Sequence, residues 1–548
     1  MSASYTVFFG SIITPTSLDS YDALPHALLA IEKATGIIKF VEKDVNVYKV
    51  EEILQVIENR YGIKKDDVDV CVLNDGEFLI PGFVDTHTHA PQVPNIGSGQ
   101  QHELLDWLSE VTFPMEARFK DVTFARKAYT SVVRRIIDCG TTTCCYYGTL
   151  HLEATKVLAE IVHQMGQRAF VGKCNMDRHS PDYYVEPSPE RSLEDTKELI
   201  SYIRSLTPPP PTSSPTYGEG ESLVKPILTP RFAISCSPEL LASLGNLASE
   251  DPTLNIQTHI SENESEIVFT KSLFPNEVLE KFGINHHHHN HLDFNSTHKH
   301  NHKHDTKTKH TTTTYAGVYD AFGLLRENTI LAHAVHLEEE EIEIVKRTGA
   351  GISHCPTSNF NLRSGFAKVG MLLDKGIKVG LGTDVSGGFS PSILTAIQHA
   401  SICSKVVSLS SPPSSSSPTT PTSSPTSSSY TSRQLSVPTL FYLSTLGGAS
   451  LCNLTSQIGS LTPGKQFDAL LISLRSNSGN PSIWGWDLDL EVGVRGSGGE
   501  PGEEGGRGKG EKEELEGLLE RFLFCGDDRN VRRVWVAGRL VGGKDFGI

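Results

Sequence analysis

His87 and His89 stand one residue apart in PGFVDTHTHAPQ, residues 81–92, at the end of a β-like run. Alternate residues of a strand face the same side, so imidazoles at i and i+2 converge on one point, the geometry of a metal site. Further candidates end other short apolar runs: Arg231 after ILTP, His259 and Glu262 in QTHISEN, His333 in ILAHAVH and Asp384 in GLGTD. His87, His89, His259 and Asp384 supply three imidazoles and a carboxylate. Catalytic Zn²⁺ takes such N and O donors and keeps a position open for water. Water held that way has a pKa of about 7, so hydroxide is available near neutrality. Glu262, one loop step past His259, is placed to hand a proton to the substrate's leaving side. His333 is placed to orient the water or to stabilise charge as it attacks. The donor set suits Fe²⁺ as well as Zn²⁺.

Such residues need rigid elements beneath them. QRAFVGKCNM, PILTPRFAISC, NIQTHIS, TILAHAVHL, GAGISHCP and IKVGLGTD each read as a buried strand with a polar end. Helical stretches such as LLASLGNLASE and EEEEIEIVKRTG lie between them. Repeated strand then helix predicts an α/β fold with a parallel sheet closed into a (β/α)8 TIM-like barrel over residues 80–459. Catalytic groups in such barrels sit at the C-terminal ends of several strands, where these candidates fall. Residues 1–79 and 460–548 contain strand runs with Gly-containing turns, including KQFDALLISL and VRRVWVAGRLV, and are expected to build one small β-sandwich domain together. Four low-complexity segments, 207–221, 284–314, 406–436 and 493–513, are expected as loops or disorder, because none buries enough apolar area to offset its ordering entropy. The ten histidines of residues 284–314 read as a weak surface chelator, since catalytic ligands need rigid support. His336, His354 and His399 read as structural histidines.

Composition narrows the function. A net charge of −16 over 548 residues disfavours nucleic-acid or anionic-membrane partners, and a small-molecule substrate fits better. The start lacks a basic n-region and no stretch approaches 18 uncharged apolar residues, so a soluble, cytoplasmic protein is expected. Its ten cysteines, with Cys144 and Cys145 adjacent, suit buried free thiols in a reducing compartment. No C-x-x-C occurs, which excludes a cytidine-type zinc deaminase.

The order HxH, His, His, Asp resembles the metal-dependent amidohydrolases. No lysine stands in a clear bridging position, so the site is expected to be mononuclear, as in the deaminase branch. Within that branch the text is similar to the guanine deaminases in DWLSEVTFPMEARF, GTTTCCYYGTLH, FVGKCNMD, LTPRFAISCS, HCPTSNFNLRSGF and GLGTDVSGGFS. The resemblance covers nearly the whole chain apart from the inserts. It implies hydrolysis of guanine to xanthine and ammonia, one Zn²⁺ per subunit and a homodimer. Carried over, it makes His87, His89, His259 and Asp384 the ligands and puts substrate contacts on Gln92, Arg231 and Phe232, with His89, His259, Glu262 and Asp384 also facing the substrate. Guanine offers a carbonyl that a guanidinium binds and a face that an aromatic ring covers. Glu262 is then expected to protonate ring N3, and Asp384 to pass the water proton to the departing amine. Trp107 is a candidate pocket wall. The competing readings are an amidohydrolase acting on another ring, which would not need Arg231 as a carbonyl donor, and a scaffold that has lost catalysis.

Overall fold

The structure is a computed structural model, described for residues 3–47, 49–206, 222–282, 313–410, 429–431, 433–483 and 507–547. Its centre is a ring of eight parallel strands, which we number in chain order: β1 Phe83–His89, β2 Thr141–Tyr147, β3 Arg168–Gly172, β4 Val224–Pro230, β5 Asn255–Ile260, β6 Thr329–His333, β7 Gly351–His354 and β8 Val379–Leu381. Each pairs in parallel with the next, from β1 with β2 through to β7 with β8. All seven residues of β1 and of β2 are buried, as expected when helices cover one face and the barrel interior the other.

Closure between β8 and β1 is made at their C-terminal ends. Asp384 N donates to His87 O at 2.8 Å, His89 N donates to Val385 O at 3.2 Å, and Thr86 Oγ1 donates to Leu381 O at 2.9 Å. The helices between the strands follow their apolar spacing. Pro238–Glu250 buries Leu240, Leu241, Leu244 and Leu247 on one face, and Ser237 caps its start by accepting from Leu240 N. Glu339–Thr348 buries Ile342 and Val345 and stops at Gly349, whose φ of 73° is the left-handed C-terminal cap that glycine adopts freely.

Strands from both chain ends form a second sheet of eight. Tyr5–Ser17 pairs with Ser20–Glu32, Val68–Val72 and Glu77–Pro81, and Ala469–Ser473 then joins Glu77–Pro81 to Val531–Val536. Arg168 of β3 reaches that sheet and donates to Asp468 from Nε at 2.9 Å and from Nη2 at 3.1 Å, with both side chains buried.

The expected insert 207–221 lies outside the described residues, as do 284–312, 411–428, 432 and 493–506 of the others. Two insert margins depart from the loop expectation. Residues 406–410 end the helix Ile393–Ser410, and 507–513 begin the helix Arg507–Cys525. The leucines responsible lie beyond the low-complexity text: Leu515, Leu519, Phe522 and Leu523 are buried and anchor that helix. All ten cysteines are free thiols; Cys144 and Cys145 are buried, while Cys525 is exposed. No helix among the described residues is long and apolar enough to cross a membrane.

Candidate active site

The ends of five barrel strands bring the sequence candidates to one place. His87 and His89 come from the end of β1, His259 from β5, His333 is the last residue of β6, and Asp384 follows β8. Arg231 follows β4 directly, and Glu262 lies two residues past β5. Gln92 sits in the short turn Ala90–Asn95. A cavity opens over them, lined by eight of the nine candidates, all but His87.

His87 Nε2 is 3.1 Å from Asp384 Oδ1, His89 Nε2 is 3.5 Å from the same oxygen, and His89 Nε2 is 3.1 Å from His259 Nε2. Ligands on a tetrahedral ion at Zn–N bonds of 2.0–2.1 Å would stand roughly 3.4 Å apart, so these spacings suit one cation. His259 Nδ1 donates to Arg231 O at 2.5 Å, which leaves the Nε2 lone pair facing the cluster. His87 Nε2 and His333 Nε2 are buried and face carboxylate oxygens, Asp384 Oδ1 at 3.1 Å and Glu262 Oε2 at 3.4 Å, an arrangement that a shared cation would satisfy. The donor set therefore fits a metal. Among the described residues, His87, His259, His333 and Asp384 form a group able to hold it, their ligand atoms lying within 4.8 Å of one another. His333 thus adjoins the ligand group more closely than its position in the sequence indicates.

Electrostatics follow from burial and from this crowding. Burial lowers the His87, His89 and His259 imidazoles below their ordinary range, toward the form that ligates metal. Burial opposes ionisation of Asp384, but His87, His333 and His89 together hold it well below the usual carboxylate range. Burial pushes Glu262 up to about 7, with His333 opposing and Asp384 adding to the rise. Glu262 Oε2 is 3.4 Å from His333 Nε2, and its Oε1 accepts from Ser364 Oγ at 3.1 Å. Such a carboxyl is poised to carry a proton near neutrality.

The rest of the lining combines apolar and polar side chains. Trp107, Leu104, Leu108 and Phe232 give it apolar surface, while Gln92 and Arg231 add donors. Trp107, the candidate wall, does line the cavity. His336 instead pairs with Ser364 O at 2.6 Å and His399 with Thr357 Oγ1 at 2.9 Å, while buried His354 stands outside the cluster.

Three supporting residues escaped the sequence reading. Asp85 accepts from His87 N at 3.2 Å, Thr383 N at 3.1 Å and Thr383 Oγ1 at 2.5 Å, tying the HxH strand to the segment that carries Asp384. Asn359 Oδ1 accepts from His333 Nδ1 at 2.9 Å and so directs Nε2 inward. Glu116 pairs with Arg231 through two hydrogen bonds of 2.7 and 3.1 Å. The signal for Asp85 was its place inside an apolar strand, and for Glu116 a lone acid in FPMEARF; neither identifies a partner.

Comparison with known proteins agrees with this geometry. The model of the Amidohydrolase family matches residues 78–541. A guanine deaminase of Dictyostelium discoideum is 38% identical over 536 residues, 98% of each chain. A probable guanine deaminase of Schizosaccharomyces pombe is 38% identical over 539 residues, 98% of this chain and 83% of that one. The crystal structure of guanine deaminase from C. acetobutylicum with guanine bound in its active site superposes with a TM-score of 0.72 at 30% identity, covering 98% of this chain and 99% of that one. With strand-end histidines and an aspartate on a (β/α)8 barrel, and with this kinship along its whole length, the chain belongs to the amidohydrolase family and, within it, to the guanine deaminases.

Proposed function

We propose that this protein hydrolyses guanine to xanthine and ammonia. The observation that carries the reading is one cavity lined by members of a cluster able to hold a metal and by Glu262, and also by the donors of Gln92 and Arg231. Kinship with guanine deaminases supports it.

The residues act as follows. Arg231 and Gln92 donate to the ring carbonyl, while Phe232 and Trp107 cover the ring and exclude water. That placement presents C2, which bears the amino group, to the cluster. His87, His89, His259 and Asp384 would hold one zinc ion, whose chemistry is Lewis-acid activation of water for attack. Glu262, protonated in part near neutrality, gives its proton to ring N3 as attack proceeds, and so prevents negative charge from building on the ring. Asp384 takes the proton of the attacking water and passes it to the departing amine, and the proton of the new C2 hydroxyl returns to Glu262 as the carbonyl forms. His333, fixed by Asn359, lies between Glu262 and Asp384 and stabilises the charge that moves between them. The reading extends to one zinc per chain, a homodimer in the cytoplasm and a place in purine breakdown. It also assigns residues 80–459 to the barrel domain and residues 1–79 with 460–548 to the small β domain.

The test is ammonia release and loss of guanine absorbance with purified protein, beside adenine, cytosine and an Asp384→Ala variant. Xanthine from guanine alone, abolished in the variant, is the expected result. Turnover of a different ring would keep the barrel chemistry and overturn the role of Arg231; no turnover by folded, zinc-loaded protein would overturn the enzymatic reading.

A further inference from the structure

Glu116 is fully buried behind the cavity, in the short helix Phe113–Ala117. Four hydrogen bonds from three side chains end on its carboxylate. Oε2 accepts from Arg231 Nη1 at 2.7 Å and from Tyr184 Oη at 2.6 Å; Oε1 accepts from Arg231 Nη2 at 3.1 Å and from Gln92 Nε2 at 2.8 Å. An ionised carboxylate offers about four lone-pair sites, so its accepting capacity is filled.

The other end of the Gln92 amide is held as well, because Oε1 accepts from Ser386 N at 3.1 Å. A carboxylate only accepts and a backbone N–H only donates, so the amide has one permitted orientation. Turned over, it would set oxygen against oxygen at Glu116 and N–H against N–H at Ser386. Gln92 therefore keeps one N–H for the cavity, and Arg231 has only N–H groups to offer. Both line the cavity, where Arg231 only donates and the remaining group on the Gln92 amide nitrogen is an N–H.

We infer that Glu116 sets which ring substituent this pocket takes. By fixing the Gln92 amide with its nitrogen toward Glu116 and holding Arg231 in position, it admits a purine with a carbonyl at that position and rejects one with an amino group there. The inference rests on the proposed activity and goes beyond it, because Glu116 does not line the cavity and acts through two residues that do. It is a positioning residue. An amino group in that place would set N–H against N–H in a buried space with no side chain free to turn, and unpaired buried donors are the strongest basis for rejecting a substrate. A carboxylate that only neutralised Arg231 would affect stability and weaken all purines alike.

The test compares kcat and KM for guanine and 2,6-diaminopurine, which share the departing 2-amino group and differ in carbonyl against amino at C6. Wild type is expected to prefer guanine by about 10³-fold or more. Glu116→Gln leaves one accepting oxygen where Arg231, Tyr184 and Gln92 now share two, so the Gln92 amide is no longer held in one orientation, and the preference should fall about tenfold or more, chiefly through a higher KM for guanine and a lower one for diaminopurine. Glu116→Asp keeps the charge beside Arg231, guards against misfolding, and should lower the preference by about threefold or more. Thermal unfolding and metal content show that each variant is folded and loaded. An unchanged preference in a folded variant, with both purines weakened equally, overturns the inference. If wild type deaminates neither purine, the proposed activity has failed on its own, and calorimetry with hypoxanthine and adenine then decides the matter. Preference for hypoxanthine that weakens in Glu116→Asp supports the lock, and equal binding of the two by wild type overturns it.

Discussion

At the scale of single residues, the site works by setting two carboxyls apart. Asp384 stays ionised because three imidazoles surround it, whereas Glu262 is pushed up to about 7 by burial. Groups separated in this way can act as base and acid at one pH. Glu262→Gln keeps the shape, and its amide still accepts from Ser364, but it has no acidic proton to transfer. We expect kcat to fall by about 10²- to 10⁴-fold with metal content and KM for guanine little changed. Steady-state rates beside metal analysis check this, and a variant within about threefold of wild-type kcat would assign the proton to another group.

At the scale of elements, strand ends and turns aim these side chains, and close approaches hold the turns. The helix Val369–Asp374 meets the segment 429–431, where a Cβ at Gly370 would come within 2.2 Å of Tyr430 O. Asp374 accepts from Ser429 Oγ at 2.5 Å, Tyr430 N at 2.7 Å, Thr431 N at 2.8 Å and Thr431 Oγ1 at 2.5 Å. Burial opposes the charge, but these donors together outweigh it and lower its pKa from 3.8 to about 2. A pKa depressed on folding contributes stability that is complete above the unfolded value of 3.8 and is lost as pH falls through about 2. Asp374→Asn should thus destabilise by at most about 1 kcal/mol at neutral pH, because solvent screens this exposed group. The difference from wild type should narrow from about pH 4 downward. Denaturant unfolding across that range checks the slope, and a difference that widened with acid would contradict it.

At the scale of the molecule, the barrel and the terminal sheet are joined by a buried ion pair. Arg168 and Asp468 are both nearly inaccessible, and Asp468 also accepts from Ala537 N at 2.7 Å. Asp468→Ala leaves the guanidinium buried without its partner, for an expected loss of about 3–5 kcal/mol. Thermal unfolding should show it; retention of wild-type stability would mean that water reaches Arg168. The group able to hold a metal among the described residues lies at barrel strand ends, so replacing residues 284–312 by a short polar linker should leave kcat/KM for guanine and the zinc retained after dialysis within about twofold of wild type. Loss of zinc in that replacement would give the histidine tract a role that the barrel geometry does not require.

Much of this was legible in the chain. A polar residue ending an apolar run is a local signal, and His87, His89, Arg231, His259, His333 and Asp384 each carry it. The helices Pro238–Glu250 and Glu339–Thr348 follow spacing that is equally local. Supporting residues were not legible, because a hydrogen bond between distant segments leaves no mark in either one: Glu116 reads as an ordinary helical acid until Arg231, Gln92 and Tyr184 are brought to it. The helix Arg507–Cys525 begins inside low-complexity text because leucines further along bury its face. By itself, then, the sequence determined the kinds of groups available, their order and the strand ends that carry them, since apolar pattern and residue chemistry act over a few neighbours. Only the tertiary structure decided which of them meet. Closure of β8 on β1 sets Asp384 against His87, and Glu116 fixes which way the Gln92 amide points, because both depend on contacts between segments far apart in the chain.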